Sequence, residues 1–247
     1  MRALILAAGY ATRLYPLTLD KPKCLLTVGG KTLLDTLCEK LQALETLDEI
    51  IIVTNNKFYA QLLNWERNAS SRVPVRILND GTLSNDTRLG AIGDLDFAIT
   101  QCGLRDDLLV LAGDNLFDAG LQAFVSFSKT NESAVCVGLY DIGDPQLASK
   151  KFGVLEVDSS WEVTGIEEKP DHPKSSLIGM GVYYFPKASL GFVKKYLQSP
   201  DAKDAPGHYV RWLLGRLRIF GFRFLGMWYD IGDLKALEDA NRSAKGL

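Results

Sequence analysis

The sequence is poor in the residues that build metal clusters and disulfide scaffolds, with two histidines and four cysteines among 247 residues. Cys24, Cys38, Cys102 and Cys136 lie far apart and form no CxxC pair. Their spacing matches no zinc motif, and isolated cysteines of this kind are typical of reduced thiols. We therefore expect a cytoplasmic protein without a structural zinc site or a disulfide framework.

A strong net charge and long apolar runs are also absent. The formal net charge is −2, which lacks the basic excess of a dedicated nucleic-acid-binding protein. No apolar run is long enough to cross a bilayer, and the opening segment MRALILAAGYATR carries no cleavage pattern. We therefore expect no nucleic-acid partner, no membrane association and no signal peptide.

The first half of the sequence alternates between apolar runs of strand length and segments with helical spacing. The predicted elements are strands over 3–8, 49–54, 75–78 and 108–112 and helices over 32–44, 57–68 and 89–100. Continuous apolar strands are typical of sheets covered on both faces. Strands that alternate with helices form βαβ crossovers, so we expect an α/β fold with a parallel sheet.

After about residue 133 the pattern changes to short strand-like pieces separated by turn-rich segments. The predicted elements are strands over 134–141, 152–158, 162–169, 180–186 and 219–225 and helices over 188–197, 208–216 and 234–242. No long linker rich in Pro, Gly or Ser divides the chain, and no internal repeat is visible. We therefore expect one domain in which an antiparallel layer is added to the parallel sheet.

The segment that follows the first predicted strand has the features of a phosphate-binding loop. The strand ends in Ala7, Ala8 and Gly9, whose small side chains allow backbone N–H groups to approach a ligand. Arg13 and Lys23 follow, and in open α/β sheets ligands bind at the carboxyl ends of strands. The alternative is a tight turn with solvated basic residues.

Two nucleotide-binding motifs fail in this region. The segment VGGKT resembles the end of a P-loop, but Leu25 stands where the first glycine is needed. We expect a turn at 29–30 and a helix N-cap at Thr32 instead. Gly9 begins no GxGxxG either, since Ala11 takes the second glycine position. A nicotinamide- or flavin-dependent oxidoreductase is therefore disfavoured.

Two carboxylates from distant segments are candidates for one metal site. Asp114 follows the buried strand over 108–112, and Asp230 lies in the segment GMWYDIGD. A carboxylate at a strand end beside the first loop is well placed to hold Mg²⁺ on a substrate phosphate. The alternative for each is a turn or capping aspartate, which we prefer for Asp233 because it directly precedes a predicted helix.

Seven segments, in order along the chain, resemble the signature segments of the sugar-1-phosphate nucleotidyltransferases, the pyrophosphorylases that make nucleotide sugars. They are LAAGYATRLYPLT, DKPKCLL, LAGDNLF, FGVLEVD, IEEKP, MGVYYF and WYDIGD. The resemblance is strongest to short, single-domain members. It implies a three-layer α/β/α, Rossmann-like (GT-A-like) fold with a mostly parallel central sheet and a small antiparallel layer at the sugar site. It also implies one domain over 1–247, with a nucleotide-binding half (1–132) and a sugar-phosphate-binding half (133–247).

The resemblance also implies which residues form the site. The catalytic residues would be Arg13, Lys23 and Lys169. The nucleotide-binding residues would be Leu6, Ala7, Ala8, Gly9, Thr12, Arg13, Lys23, Asn79, Gly90 and Asp114. The sugar-phosphate-binding residues would be Asn115, Gly153, Glu168, Lys169 and Gly181. The Mg²⁺ ligands would be Asp114 and Asp230.

The implied reaction joins an NTP to a sugar 1-phosphate and releases pyrophosphate, with Mg²⁺ as cofactor, in a homodimer or homotetramer. We expect dTTP or UTP with glucose 1-phosphate. One alternative is CTP- or GTP-dependent transfer to another sugar phosphate or a phospho-alcohol. Another is a non-catalytic nucleotide-sugar-binding regulatory protein, which should lack Lys23, Asp114 or Asp230.

Two positions depart from the family pattern. Ala11 stands where the family usually has glycine, and alanine is tolerated there without strain only if φ is not positive. The segment LNDGTLSNDTRLGAIGD differs from the glutamine-containing pattern common where the base is bound. The resemblance therefore leaves the preferred nucleotide open.

Overall fold

Strands and helices alternate along the part of the chain that the structure, a computed structural model, describes: residues 1–202 and 204–244. The strands are β1 (Arg2–Leu6), β2 (Thr27–Val28), β3 (Lys31–Thr32), β4 (Glu49–Thr54), β5 (Val75–Asn79), β6 (Leu108–Ala112), β7 (Asn115–Phe117), β8 (Val135–Asp141), β9 (Gly153–Val157), β10 (Val163–Glu168), β11 (Leu177–Phe185), β12 (Ile219–Phe224) and β13 (Trp228–Asp230). The helices are α1 (Leu33–Gln42), α2 (Tyr59–Asn68), α3 (Gly90–Cys102), α4 (Gln122–Thr130), α5 (Gly191–Leu197), α6 (Pro206–Leu213) and α7 (Leu234–Ala244).

The contacts between residues divide the chain into two compact units. The first contains Met1–Leu89, Leu111–Leu121 and the segment that begins at Gly226. The second contains Gly90–Val110 and Gln122–Leu225. The first unit thus combines segments from both halves of the sequence. The single domain with halves divided after residue 132 stays a prediction.

Parallel strands form the sheet of the first unit. β1 pairs with β4 and β4 pairs with β5, in parallel throughout. The central residues of β1 and β4 are fully buried because these apolar strands are covered on both faces. The carboxyl ends of the strands lie at one edge, where Leu6 pairs with Val53 and Thr54 with Asn79. β4 and β6 have the predicted bounds, whereas β1 ends two residues early, at Leu6.

Helix α1 begins where the sequence predicts. Thr32 accepts a hydrogen bond from Asp35 N at 3.0 Å and Asp35 accepts one from Thr32 N at 3.3 Å, which completes a capping box. Such a cap typically contributes about 1 kcal/mol. The buried side of the helix consists of leucines at helical spacing, including Leu37 and Leu41. The predicted N-cap is confirmed, and so is the turn at 29–30, where both glycines have positive φ.

The last segment of the first unit forms a short strand and a helix. β13 pairs antiparallel with β7, and α7 follows. Asp233 accepts a hydrogen bond from Ala236 N at 2.9 Å, so its predicted capping role is confirmed. The buried apolar residues of this segment and their partners are Val28, Leu33, Leu116, Ile231 and Ala240.

The second unit contains the predicted antiparallel strands. In its sheet, β9 lies between β10 and β11, and β8 lies between β11 and β12. All these pairs are antiparallel except β12 with β8. Helix α4 is the one helix that the sequence analysis missed in the described residues. Its buried side consists of Phe124, Val125 and the polar Ser128, and so short an apolar pattern is a weak helical signal.

No helix in residues 1–202 and 204–244 combines the length and the hydropathy that a membrane crossing requires.

Candidate functional site

The loop after β1 starts directly at the carboxyl edge of the parallel sheet. Ala7 N donates to Val53 O at 2.9 Å, which continues the β1–β4 ladder by one bond. Leu6 O accepts from Gly113 N at 2.9 Å, which ties the end of β1 to the segment after β6. Of the predicted nucleotide contacts, Ala8 is buried and Gly9 is exposed. The backbone at 6–9 is therefore fixed on one side and open on the other.

Ala11 lies in the left-handed region, with a φ of +47°. Its carbonyl accepts from Thr18 Oγ1 at 2.8 Å and from Leu14 N at 3.0 Å, which holds the loop in this conformation. Alanine would be unstrained here only if φ were not positive. Because φ is positive, the backbone of Ala11 is strained. An L-residue in this region costs about 1–2 kcal/mol.

The next residues form a 3-10 turn over Thr12–Leu14. Leu14 is fully buried and anchors the turn, whereas Thr12 and Arg13 are exposed. The two residues predicted to contact the nucleotide thus keep their side chains accessible. Their exposure allows them to reach a ligand without moving the core.

Lys23 joins the two predicted metal ligands. Its Nζ lies 2.6 Å from Asp114 Oδ2 and 3.9 Å from Asp230 Oδ1. Both carboxylates are about one-third exposed, and the lysine side chain is 15% exposed. Residues from the first loop region, the end of β6 and the last segment therefore meet as the sequence analysis predicts.

Main-chain pairing brings the two carboxylates together. β7 and β13 place Asn115 opposite Asp230, and Ile231 N donates to Asp114 O at 3.1 Å. Asn115 was predicted to contact the sugar phosphate, but its side chain is 2% exposed and accepts from Trp228 Nε1 at 3.2 Å. In this structure Asn115 therefore supports the pairing of β7 with β13.

Gly113, directly before Asp114, packs closely against the end of β1. The sequence analysis did not identify this contact. A Cβ at Gly113 would lie 2.9 Å from Leu6 O and 3.2 Å from Ala7 Cβ. Because only glycine lacks this atom, Gly113 lets the end of β6 contact the first loop directly. It thereby sets how close Asp114 comes to that loop.

The surroundings of Asp114 and Asp230 disfavour the ionised form of Asp230. Burial, followed by repulsion from Asp114, raises the pKa of Asp230 to about 6, although Lys23 and Arg13 act in the opposite direction. Carboxylate oxygens are the ligands that Mg²⁺ prefers, and it usually takes only one or two from the protein. The pair fits such an ion. Within the described residues, no three His, Cys, Asp or Glu side chains form a metal cluster.

The loop after β5 contains the predicted base contact Asn79. Its Nδ2 donates to Asn56 Oδ1 at 2.8 Å, and its Oδ1 accepts from Gly81 N at 2.9 Å. Thr82 Oγ1 lies 3.2 Å from the hydroxyl of buried Tyr10, which connects this loop to the loop after β1. The two loops are thus held together by polar contacts at the sheet edge.

A cavity of about 690 Å³ in the first unit lies against helix α2 and contains none of the predicted site residues. Its lining includes Leu25 and Asp35, and Asp35 accepts from Trp65 Nε1 at 2.8 Å.

In the second unit, Glu168 ends β10 among closely packed glycines. A Cβ at Gly153 would lie 2.9 Å from Glu168 Oε2, and one at Gly207 would lie 2.0 Å from it. Burial raises the pKa of Glu168, and Lys169 opposes the shift. The predicted sugar contacts Gly153 and Glu168 therefore lie close together. Gly207, which the sequence analysis did not name, also packs against Glu168.

Several of the other predicted residues in this unit have unusual backbone angles. Lys169 has a φ of +49°, and its N donates to Phe152 O at 3.1 Å. A non-glycine residue in this region is strained, and such strain clusters at functional sites. Gly181 has a φ of +71° where β11 shifts register, and Gly90 has a φ of +78° at the start of α3.

Comparison with known proteins gives matches along nearly the whole chain. A family model described as nucleotidyl transferase matches residues 2–245. The bifunctional protein GlmU of Methanocaldococcus jannaschii is 26% identical over 98% of this chain and 54% of its own length. A glucose-1-phosphate thymidylyltransferase of Streptomyces antibioticus is 30% identical over 98% of this chain and 66% of its own length. The chain therefore spans about half to two-thirds of these relatives.

Solved structures share the fold. A candidate glucose-1-phosphate thymidylyltransferase from Bacillus anthracis, in complex with sucrose, superposes with a TM-score of 0.83 at 25% identity. The match covers 100% of this chain and 96% of the other. The predicted α/β, Rossmann-like class with a mostly parallel central sheet is therefore confirmed.

Proposed function

Since the chain belongs to the nucleotidyl transferase family, we propose that it transfers a nucleotidyl group from an NTP to a sugar 1-phosphate. The products are an NDP-sugar and pyrophosphate. In the reaction an oxygen of the sugar phosphate forms a bond to the α-phosphorus, and the bond from that phosphorus to the β-phosphate oxygen breaks. The names of the relatives support this reaction class.

The contact of Lys23 with Asp114 and Asp230 is the observation that carries the proposal. A lysine 2.6 Å from one carboxylate and 3.9 Å from the other can bind phosphate oxygens on one side. The carboxylate pair would hold Mg²⁺, which supplies charge neutralisation on the phosphates when bound. A non-catalytic binding protein would not need this group, because binding alone requires no stabilisation of charge at a reacting phosphorus.

The remaining residues of the first unit would bind and orient the nucleotide. Exposed Gly9 offers its backbone N–H to a phosphate oxygen, and exposed Arg13 offers a bidentate guanidinium. The sugar phosphate is already ionised at neutral pH, so the chain needs no general base. Its task is to hold two polyanions in line, which positioning and cations achieve.

Glu168 and Lys169 would bind the sugar phosphate. A carboxylate accepts hydrogen bonds from sugar hydroxyls, and a lysine neutralises the phosphate. The strained φ of Lys169 supports a functional role for its position. We propose glucose 1-phosphate with dTTP or UTP as the best pair, in line with the name of the Streptomyces relative.

A matrix of substrates tests the proposal. Four NTPs and dTTP are each combined with glucose 1-phosphate, mannose 1-phosphate, glucosamine 1-phosphate and phosphocholine, and pyrophosphate release is measured with and without Mg²⁺. We expect release only when a nucleotide, a sugar phosphate and Mg²⁺ are all present. If pyrophosphate is released only with the pair phosphocholine and CTP, the substrate is a phospho-alcohol and not a sugar phosphate. No release in any combination would contradict the proposal.

Lys23→Ala tests the site. We expect kcat/KM to fall by about 10²–10³, the usual cost of losing one well-placed charge-stabilising group. Lys31→Ala is the matched control, because Lys31 forms a solvent-exposed pair with Glu39 and touches no predicted site residue. Equal activity of the two variants would show that Lys23 is not part of the reaction site.

A further inference from the structure

Asn55 lies directly after β4, at the same sheet edge as the loop that follows β1. Its side chain is fully buried. Nδ2 donates to Ala8 O at 2.8 Å, and Oδ1 accepts from Phe58 N at 3.2 Å. One amide group therefore links the loop after β1 to the start of helix α2.

The hydrogen bond to Ala8 fixes the direction of a whole peptide group. The Ala8–Gly9 bond is trans, because the one cis bond in the described residues is Tyr15–Pro16. In a planar trans peptide the C=O and N–H point in opposite directions. Since Asn55 holds Ala8 O on the buried side, Gly9 N–H points away from it.

The backbone at Gly9 is accessible. Gly9 is exposed, and a Cβ built on it would meet nothing within 4 Å. Within the described residues, this N–H has no hydrogen-bond partner. An oriented backbone donor without a partner, on an exposed residue of the loop that also carries Arg13, is suited to bind a phosphate oxygen.

We infer that Asn55 is a positioning residue that aims the Gly9 N–H at a phosphate of the bound nucleotide. The inference rests on the proposed function, because it assigns a role within the same reaction. Asn55 would not touch the substrate. It acts through the Ala8–Gly9 peptide, which otherwise could rotate and turn the carbonyl oxygen toward the phosphate.

The amide of Asn55 makes both hydrogen bonds with one planar group. The side chain must donate to Ala8 O and accept from Phe58 N at the same time, and asparagine provides both groups. In Asn55→Asp an oxygen replaces Nδ2 and faces Ala8 O, while the bond from Phe58 N is kept. Asn55→Ala removes both bonds without adding a charge.

The experiment measures nucleotide affinity and local hydrogen exchange on the full chain. We expect Asn55→Asp to raise the Kd for dTTP or UTP by about 10- to 100-fold, the usual effect of losing a hydrogen bond to a charged group. The KM for glucose 1-phosphate should stay within about twofold. Amide exchange at residues 14–17, where the N–H groups of Leu14, Tyr15 and Leu17 are bonded within this loop, should accelerate, whereas exchange in α1 should not.

Asn131→Asp is the matched control. Asn131 also uses Nδ2 to hold a carbonyl, that of Phe127 at 2.9 Å, but it lies after helix α4. Its substitution should leave nucleotide affinity and exchange at 14–17 unchanged. If Asn55→Asp does not fold, Asn55→Ala is measured in the same way.

Two results separate this inference from the proposed function. If the wild-type chain binds no nucleotide, the proposed function fails, and exchange at residues 14–17 still tests whether Asn55 orders the loop. If it binds nucleotide and both Asn55 variants show wild-type affinity and wild-type exchange, the inference is overturned while the proposed function stands.

Discussion

Neutralising Asp230 should stabilise the folded chain while it removes a proposed metal ligand. Burial and the charge of Asp114 raise the pKa of Asp230 from 3.8 to about 6. An acid with a higher pKa in the folded state binds more protons when folded, so its ionisation lowers the free energy of unfolding. Asp230→Asn abolishes this ionisation and keeps the shape of the side chain.

The size of the effect follows from the pKa shift and from the exposure of the side chain. Each pKa unit corresponds to about 1.4 kcal/mol, so complete burial would give about 3 kcal/mol. The Asp230 side chain is 34% exposed, and solvent screening reduces the effect to about 1–2 kcal/mol. Because each kcal/mol shifts the Tm of a chain of this size by about 2–4 °C, we expect an increase of about 2–8 °C.

Thermal denaturation near neutral pH without Mg²⁺ measures this difference. The advantage of Asp230→Asn should decrease as pH falls from about 6 to about 4, because the wild-type carboxyl group is then protonated in the folded state. Mg²⁺ should raise the Tm of the wild type more than that of the variant. Asp233→Ala, which removes the cap of α7, should instead lower the Tm and serves as the control of opposite sign. A variant Tm below that of the wild type at neutral pH would refute the reasoning.

Two further substitutions test the backbone of the site by urea denaturation. Gly113→Ala places a Cβ 2.9 Å from Leu6 O and should lower the free energy of unfolding by about 1–3 kcal/mol. Gly120→Ala is its control, because the added Cβ meets nothing within 4 Å, and equal losses would contradict the steric argument. Ala11→Gly should raise the free energy of unfolding by about 0.5–1 kcal/mol, since glycine adopts a φ of +47° without strain. A destabilised Ala11→Gly would show that the alanine side chain stabilises the loop.

The sequence predicted the strand ends that border the candidate site. Continuous apolar runs locate β4 and β6 to the residue, because a strand covered on both faces has no polar positions inside it. Polar residues directly after such runs lie at the sheet edge, which is why Asp114 could be assigned before the structure was known. Lys23 and Asp230 were candidates from their segments, the family resemblance added their roles, and the structure places Lys23 beside both carboxylates.

Asn55 and Ala11 show what the sequence could not reveal. Asn55 also follows a buried strand, but its sequence does not indicate whether the amide faces a ligand or a carbonyl of the neighbouring loop. The positive φ of Ala11 depends on Thr18 and Leu14, which hold its carbonyl. Alanine gives no sign of such a conformation, because local preference opposes it and tertiary contacts impose it.

The position of Asp230 depends on residues that would never contact a substrate. β13 and β7 pair over three residues each, and a sheet of two such short strands is marginal alone. Ile231, next to Asp230, is fully buried with Leu116 and Ala240 of helix α7. The apolar side of α7 therefore stabilises the pairing that brings Asp230 to Lys23. Because the carboxylates repel each other, this packing acts together with the charge of Lys23 to keep them close.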